Sequence, residues 1–501
     1  MNVKKNNNMK QRQIINRTSL QGGMRRAALI AAAMLIAFAA SAQAVSFKTE
    51  ANGKMLAHAN EPQFIGTFDG SAVLLDRTGK KILLGRYDMA QNELASIELT
   101  REKETSCYGG FVNGNNIDLL MVRDGDEGMR VWRERLNATT LQGAAEPLTL
   151  TDMRGEKKDK FFFQIGTSPN QELLAGVSVA ARKGLEPEMR VSLYSRELEA
   201  YWHMPIEVVP FNQILVTDSG EVVLAYCSAD RKRPSTFTVI DGEHEKHFSF
   251  KVNEGIWALE SSVVRYGNGK LVMAVTVCDE HKVVMPLGSN INRVEFYCYD
   301  IQRDELTVNT YDFTADESAR MANRKDGNGT HNNWVQFGTL NQSIADDEGA
   351  YLMLDQTWRV TKNDIPVEQH HQGMMVIRID ASGHVQWTRT MRLTAQSSWG
   401  GRDMVAYRWR STADGVMLAA PQNAKNAPLP DDKPVKNFKI LKDKAVMSVF
   451  TLDRKGNLSR ENFDIGKQTM IGAARAVDSR HFMLLLVGSG NKSQFAHIEL
   501  N

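Results

Sequence analysis

Eight times along its 501 residues this chain runs from a tight polar turn straight into an unbroken apolar stretch. The stretches are "FDGSAVLL" (68–75), "VNGNNIDLLMV" (112–122), "SPNQELLAGVSV" (168–179) and "TDSGEVVLAY" (217–226), followed by "YGNGKLVMAV" (266–275), "DDEGAYLML" (346–354), "ADGVMLAA" (413–420) and "DSRHFMLLLV" (478–487). Gly, Asn and Asp accept the positive φ that a tight hairpin turn demands. A short apolar run with no polar alternation is what a strand buried on both faces looks like. A chain that repeats this unit must bury eight such strands, and that requirement limits the fold more than any other feature.

The residues after each run complete the unit. An alternating segment such as "MMVIRID" (374–380) or "STFTVID" (235–241) leads into a second kind of hairpin. That hairpin reads "RIDASGHVQW" at 378–387 and "FTLDRKGNLS" at 450–459, with longer turns in "YDMAQNEL" (87–94) and "YDIQRDEL" (299–306). A more polar strand such as "HVQWTRTMRL" (384–393) then closes the unit. Each unit is thus four strands, inner, buried, half-buried and outer, and no convincing amphipathic helix interrupts the series. Repetition at a period of tens of residues signals a repeat architecture. Over residues 45–501 the chain resembles a member of the β-propeller superfamily, in which four-stranded antiparallel blades leave only short, protected edges. The D-x-x-G hairpins that carry the resemblance are generic. The "GH…WD" signature of WD40 repeats is absent, as is a clean tryptophan-docking motif, so the resemblance implies architecture and no functional family. Eight blades are expected. Seven is the alternative, because "LLDRTGKKILL" (74–84) resembles the outer hairpin of a later unit; a pair of β-sandwiches is the other architecture open. The last unit, "AVDSRHFMLLLVGSGNKSQFAHIEL", supplies three strands, and "SFKTEANGKML" (46–56) is expected to close the ring as the fourth.

Ahead of the repeat lies a different kind of segment. Residues 1–26 hold seven Lys or Arg and no acid, then "AALIAAAMLIAFAA" (27–40) and an Ala-x-Ala site at Ala42 and Ala44. That order is a secretory signal peptide spanning residues 1–44, too short in its apolar part to cross a membrane. Met24 opens a compact version of the same signal. No Cys lies near Ala44, so lipid acylation is not expected, and no second apolar run reaches membrane length. The whole chain has 61 basic and 59 acidic residues. Loss of the seven basic residues leaves 54 against 59, near −5, so the apparent basic character belongs to the leader and implies no nucleic-acid role. Export permits disulfides. Yet Cys227, Cys278 and Cys298 sit inside strand-like runs, and with Cys107 they read as buried free thiols in no zinc spacing.

Function is expected on one face. In an antiparallel four-stranded blade both short hairpins share one end of the sheet, while the middle connection and the link to the next blade share the other. The long insertions all fall at that second end: 278–292, 356–373 and 421–444 as middle connections, 313–334 and 394–404 as links. Long loops on a rigid scaffold commonly carry binding. Within them Trp334, Trp358 and Trp399 offer stacking faces, Asn332, Asn333, Arg324, Arg359 and Arg402 offer donors, and Asp326 and Asp403 offer acceptors, a set suited to a sugar or a peptide. Each Trp has an alternative use as a packing wedge between blades. His331, His370 and His371 are the candidate metal ligands, though adjacent histidines on a strand would point to opposite faces. No cofactor is expected; a structural calcium ion at "DGNGTHN" (326–332) or "DGDEG" (124–128) is the alternative, on a poor match to a calcium loop. No G-x-S-x-G, H-E-x-x-H or Walker A signature occurs. The expectation is therefore an exported, soluble, monomeric binding or scaffolding protein for a glycan or protein partner, periplasmic or secreted, in a Gram-negative envelope. A carbohydrate-active enzyme, hydrolase or lyase, using the long-loop face is the alternative.

Overall fold

In the computed structural model every one of the eight apolar runs is the second strand of its own sheet. These strands are Ser71–Asp76, Asn116–Gly125, Leu173–Ala181, Val222–Tyr226, Lys270–Cys278, Gly349–Lys362, Gly415–Asn423 and His481–Gly488, and they number blades 1 to 8. The structure describes residues 45–49, 53–54 and 63–500, apart from short internal stretches of which the longest are 279–289, 324–334 and 398–406. The chain divides by contacts into residues 1–46 with 500–501, and residues 47–499. In the smaller unit Val45 and Leu500 are buried. The larger unit is an eight-bladed β-propeller of four-stranded antiparallel sheets.

The second strands are apolar throughout because each faces two cores. In Lys270–Cys278, Val272 and Ala274 pack with Leu352, Leu354, Met375 and Ile377 of blade 6. The alternate residues Leu271, Met273, Val275 and Val277 pack with Val223, Phe237 and Val239 of blade 4. Side chains alternate across a strand, so a strand between two wedges has no polar side. Each such fully buried side chain contributes about 1.5–3 kcal/mol. The core of this protein is thus a series of wedges between neighbouring blades.

First strands meet around the centre. Gln63–Phe68 lies against Thr105–Asn113 and Gln468–Ala476, and the latter also against Arg408–Thr412. Fourth strands such as Glu305–Asp312 are largely exposed. "LLDRTGKKILL" belongs to the second and third strands of blade 1, so eight is the count among the described residues. Blade 8 contributes Gln468–Ala476, His481–Gly488 and Lys492–Leu500, and its fourth position is filled by the strand Val45–Thr49. Phe47 stacks on Phe463 of blade 7 with ring centroids 4.9 Å apart, and Gly53 and Lys54 pair with Ser493 and Lys492.

The repeated outer hairpin has two physical jobs. Its Asp accepts backbone N–H groups of its own turn: Asp380 Oδ1 from Ser382 at 2.8 Å and His384 at 3.0 Å, Asp453 Oδ1 from Lys455 at 2.9 Å and Asn457 at 2.8 Å. Its Gly, with φ of 80° at Gly456, sits under an aromatic of the preceding blade's outer strand. A Cβ at Gly456 would lie 2.7 Å from Trp387, and one at Gly242 would lie 2.9 Å from Trp202. The Trp387 indole N–H completes that lock by donating to the Arg454 carbonyl at 2.9 Å.

Two expectations are corrected. Residues 356–362 and 365–373 are not a loop but the ends of two long strands, Gly349–Lys362 and Ile365–Asp380, with Lys362 opposite Ile365. Thr357, Val360 and Thr361, β-branched or aliphatic, suit a strand. A helix does interrupt the strands: Ala315–Met321, between blades 5 and 6. Its start is a capping box in which the Glu317 N–H donates to Thr314 Oγ1 at 3.2 Å and the Thr314 N–H donates to Glu317 Oε2 at 2.9 Å. Met321 seats the helix in the wedge between blades 5 and 6, against Gly373, where a Cβ would lie 2.2 Å from the Met321 carbonyl oxygen. All four cysteines are buried and unbridged. Among the described residues no helix is long and apolar enough to cross a membrane.

Candidate functional site

Five blades open onto one cavity of about 430 Å³ at the short-hairpin end of the centre. Blade 1 supplies Phe64, Gly66 and Thr67, blade 2 supplies Val112, and blade 3 supplies its first turn, residues 169–172, with Arg196 from its second. Blade 7 adds Ser411 and Thr412, and blade 8 adds Arg475, Val477 and Met483. Glycine at 66 is required by close approach, since a Cβ there would lie 2.6 Å from Val112 Cγ2. The lining thus combines the apolar side chains of Phe64, Val112 and Met483 with guanidinium, amide and hydroxyl groups.

Arginine dominates the chemistry. Arg475 donates from Nη1 to the Phe64 carbonyl at 3.3 Å. Arg196 donates from Nη2 to the Val112 carbonyl at 3.3 Å and pairs with Glu172 at 3.4 Å. On the first strand of blade 7 the order is Arg408, Trp409, Arg410. Alternation sets the buried Trp409, 3 % exposed, on one side of the strand and both arginines on the other. Burial pushes the Arg408 guanidinium down to about 10, helped by repulsion from Arg410. Arg475 is pushed down to about 10 by burial, then by Arg196 and Arg410. Burial also lowers Arg410. The first strand of blade 7, with Arg408 and Arg410, lies against that of blade 8, with Arg475, and Arg475 and Arg196 line one cavity, so the four guanidinium groups form a ladder across neighbouring blades. Arg408 and Arg410 each donate to the carbonyl of the preceding residue at 3.1 Å. Among the described residues no carboxylate pairs with Arg408, Arg410 or Arg475.

Other inner-strand side chains stitch one blade to the next. Gln213 of blade 4 donates to Ser262 Oγ at 2.6 Å and accepts the Val263 N–H at 2.8 Å. Glu260 of blade 5 accepts the Leu340 N–H of blade 6 at 2.8 Å, which offsets part of the upward push that burial gives its carboxyl. These groups are spent on the scaffold, whereas the arginine donors have capacity left.

The residues singled out in the sequence fall elsewhere. Arg324, Asp326, His331, Asn332, Asn333, Trp334, Trp399, Arg402 and Asp403 lie outside the described residues. Trp358 and Arg359 are on the second strand of blade 6, opposite His370 and Gln369. His370 and His371 are on its third strand and turn to different partners. His370 Nε2 lies 3.0 Å from Glu368 Oε2. His371 is buried 3.6 Å from the Asp355 carboxylate, which accepts the Tyr407 hydroxyl at 2.6 Å. The described parts of the long insertions do gather. Asn323 makes both backbone bonds of Val435 at 2.8 Å, Asn290–Ile291 pairs with Val335–Gln336, and Phe438–Lys439 adds in parallel to the outer strand of blade 6. Sequence reading missed Arg196, Arg408, Arg410, Arg475 and Glu172. The alternation Arg-Trp-Arg in a first strand was the available signal, because a Trp committed to one side commits both arginines to the other.

No protein-family model matches the chain, and no curated protein sequence matches it. Among solved structures it is similar to the WD40 domain of SCAP from fission yeast, at 10 % identity and a TM-score of 0.39 over 91 % of this chain and 98 % of that one. It is also similar to the polysaccharide lyase Uly1, at 9 % identity and a TM-score of 0.36 over 89 % of this chain and 91 % of that one. A third is the β-propeller domain of the trilobed protease from Pyrococcus furiosus, at 10 % identity and a TM-score of 0.35 over 78 % of this chain and 98 % of that one. At these scores the likeness adds nothing to the strand pairing, which defines the propeller by itself.

Proposed function

We propose that this chain is an exported β-propeller that binds a short glycan or peptide segment in the mouth of its channel. The observation that carries the reading is the 430 Å³ cavity, a size suited to a small ligand, lined by polar groups together with apolar side chains. Export is supported by the basic leader, the apolar run and the Ala-x-Ala site, and the closing strand begins at Val45, next to the expected cut after Ala44. A glycan array combined with a reducing-end assay on the purified protein tests the binding role. Binding without new reducing ends is the expected result. New reducing ends would instead make the chain a carbohydrate-active enzyme, and silence in both assays would remove the glycan.

A further inference from the structure

We propose that the arginine ladder behind the channel mouth is an oxyanion site, and that the ligand reaching it carries a carboxylate, sulfate or phosphate group. The anion site stands on the ladder itself; only its assignment to a ligand of the mouth rests on the binding role above. Arg408 and Arg410 share one side of a first strand that lies against the first strand carrying Arg475, and Arg475 lines the cavity. Among the described residues their hydrogen bonds go to the main-chain carbonyls of Tyr407, Trp409 and Phe64, one each, which leaves most of each five-donor fork open there. Two carboxylates close to the ladder are engaged, Glu172 by Arg196 and Asp355 by the hydroxyl of Tyr407, the neighbour of Arg408.

A guanidinium keeps its charge at any ordinary pH, so several half-buried ones side by side repel each other and lose hydration with no carboxylate partner among the described residues. The lowered affinity of Arg408 and Arg475 for their protons reports that same cost. A bound oxyanion removes it: two N–H groups of one fork match two oxygens of a carboxylate, sulfate or phosphate, and a second fork closes from another blade. Chloride, with no directional oxygen pair, satisfies the charge and not the geometry. Ser411 and Thr412 next to the ladder offer hydroxyls to the uncharged remainder of a ligand.

The test is calorimetric titration and thermal unfolding of the purified protein with inorganic phosphate and with sulfate, chloride holding the ionic strength constant. The expected result is saturable binding of either oxyanion and a rising unfolding midpoint that chloride does not reproduce. Arg410→Gln and Arg475→Gln should each weaken phosphate by about tenfold or more, through loss of charge-assisted bonds. In oxyanion-free buffer neither variant should unfold earlier than the parent, because each removes a repelling charge, so loss of binding is separated from loss of fold. Arg410→Lys, which keeps the charge and loses the fork, should recover part of the affinity. Equal responses to phosphate and chloride, or a doubly substituted R410Q/R475Q chain that binds phosphate like the parent, would overturn the site. A second arm adds glucuronate or glucose to the phosphate complex. Displacement by glucuronate alone supports an acidic ligand, and no displacement overturns that half and leaves a free oxyanion as the occupant. Thr67→Ala with Thr412→Ala, in the mouth, should lower glycan binding and spare the phosphate response. A chain that answers phosphate but no glycan or peptide keeps the anion site and loses the role proposed above.

Discussion

Aspartate and tyrosine show how little of this chain's polar chemistry is spent outside the scaffold. The hairpin aspartates are turn formers, each accepting N–H groups two to four residues ahead, as the repeated D-x-x-G reading implied. Several tyrosines are buried or half-buried donors. Tyr311 donates to Glu317 at 2.7 Å, and Tyr299 donates to Asp304. Burial first, and then the carboxylate partner, pushes Tyr299 up to about 12; Tyr311 reaches about 12 from burial and its Glu317 bond. Tyr87, Tyr194, Tyr266, Tyr297 and Tyr351 are raised as well, chiefly by burial. In the unfolded chain these phenols ionise near 10, before their folded counterparts, so the unfolded state gains and stability falls as pH rises through 10 towards 12. Arg408 and Arg475 act the other way, since they lose their protons near 10 when folded and only above 12 when unfolded. Burial lowers Arg133, Arg265 and Arg410 in the same sense, and seven tyrosines outweigh these five arginines. The unfolding midpoint should therefore drop between about pH 9.5 and 11.5, and Tyr311→Phe should make the drop shallower. A midpoint that is flat over that range would contradict the burial of these phenols.

At the scale of one hairpin, the interlock between blades is the testable feature. Gly456 and Gly70 both have positive φ, 80° and 66°. Alanine at either position meets the left-handed backbone penalty of about 1–2 kcal/mol. At Gly70 a Cβ would meet nothing within 4 Å, whereas at Gly456 it would lie 2.7 Å from Trp387. Urea unfolding should show Gly456→Ala to be the costlier change, by about 1 kcal/mol or more of added overpacking. Equal losses at the two sites would mean that Trp387 does not wedge the blades. The second and third strands were legible at this scale because period-2 patterning and turn residues agree over each of the eight runs. The strand ends between 356 and 373 were not, because His370, His371 and other polar residues interrupt the apolar pattern that marks the other strands. The helix at Ala315–Met321 was missed for want of length, although Thr314 and Glu317 carried its capping box in plain view.

Across the whole molecule, closure and channel are the two properties no single blade possesses. Phe47 of the closing strand stacks on Phe463, so deletion of residues 45–57 should bare the Lys492–Leu500 edge and cause aggregation, measured by light scattering. A deletion that left solubility and melting unchanged would place the closure in doubt. The closing strand was legible because the last unit lacks an outer strand and the N-terminal segment has no unit of its own. The channel site was not, since its walls come from residues as distant in sequence as Phe64 and Met483, and no spacing rule joins them. Long insertions instead drew attention to the opposite face. The channel site is the central claim, and anomalous diffraction from crystals of the protein grown with selenate tests it most directly. A selenium peak roughly 4 Å from the Arg410 and Arg475 guanidinium nitrogens, with selenate oxygens about 3 Å from them, is the expected result. Selenate only on the outer surface, with none beside the ladder, would contradict it.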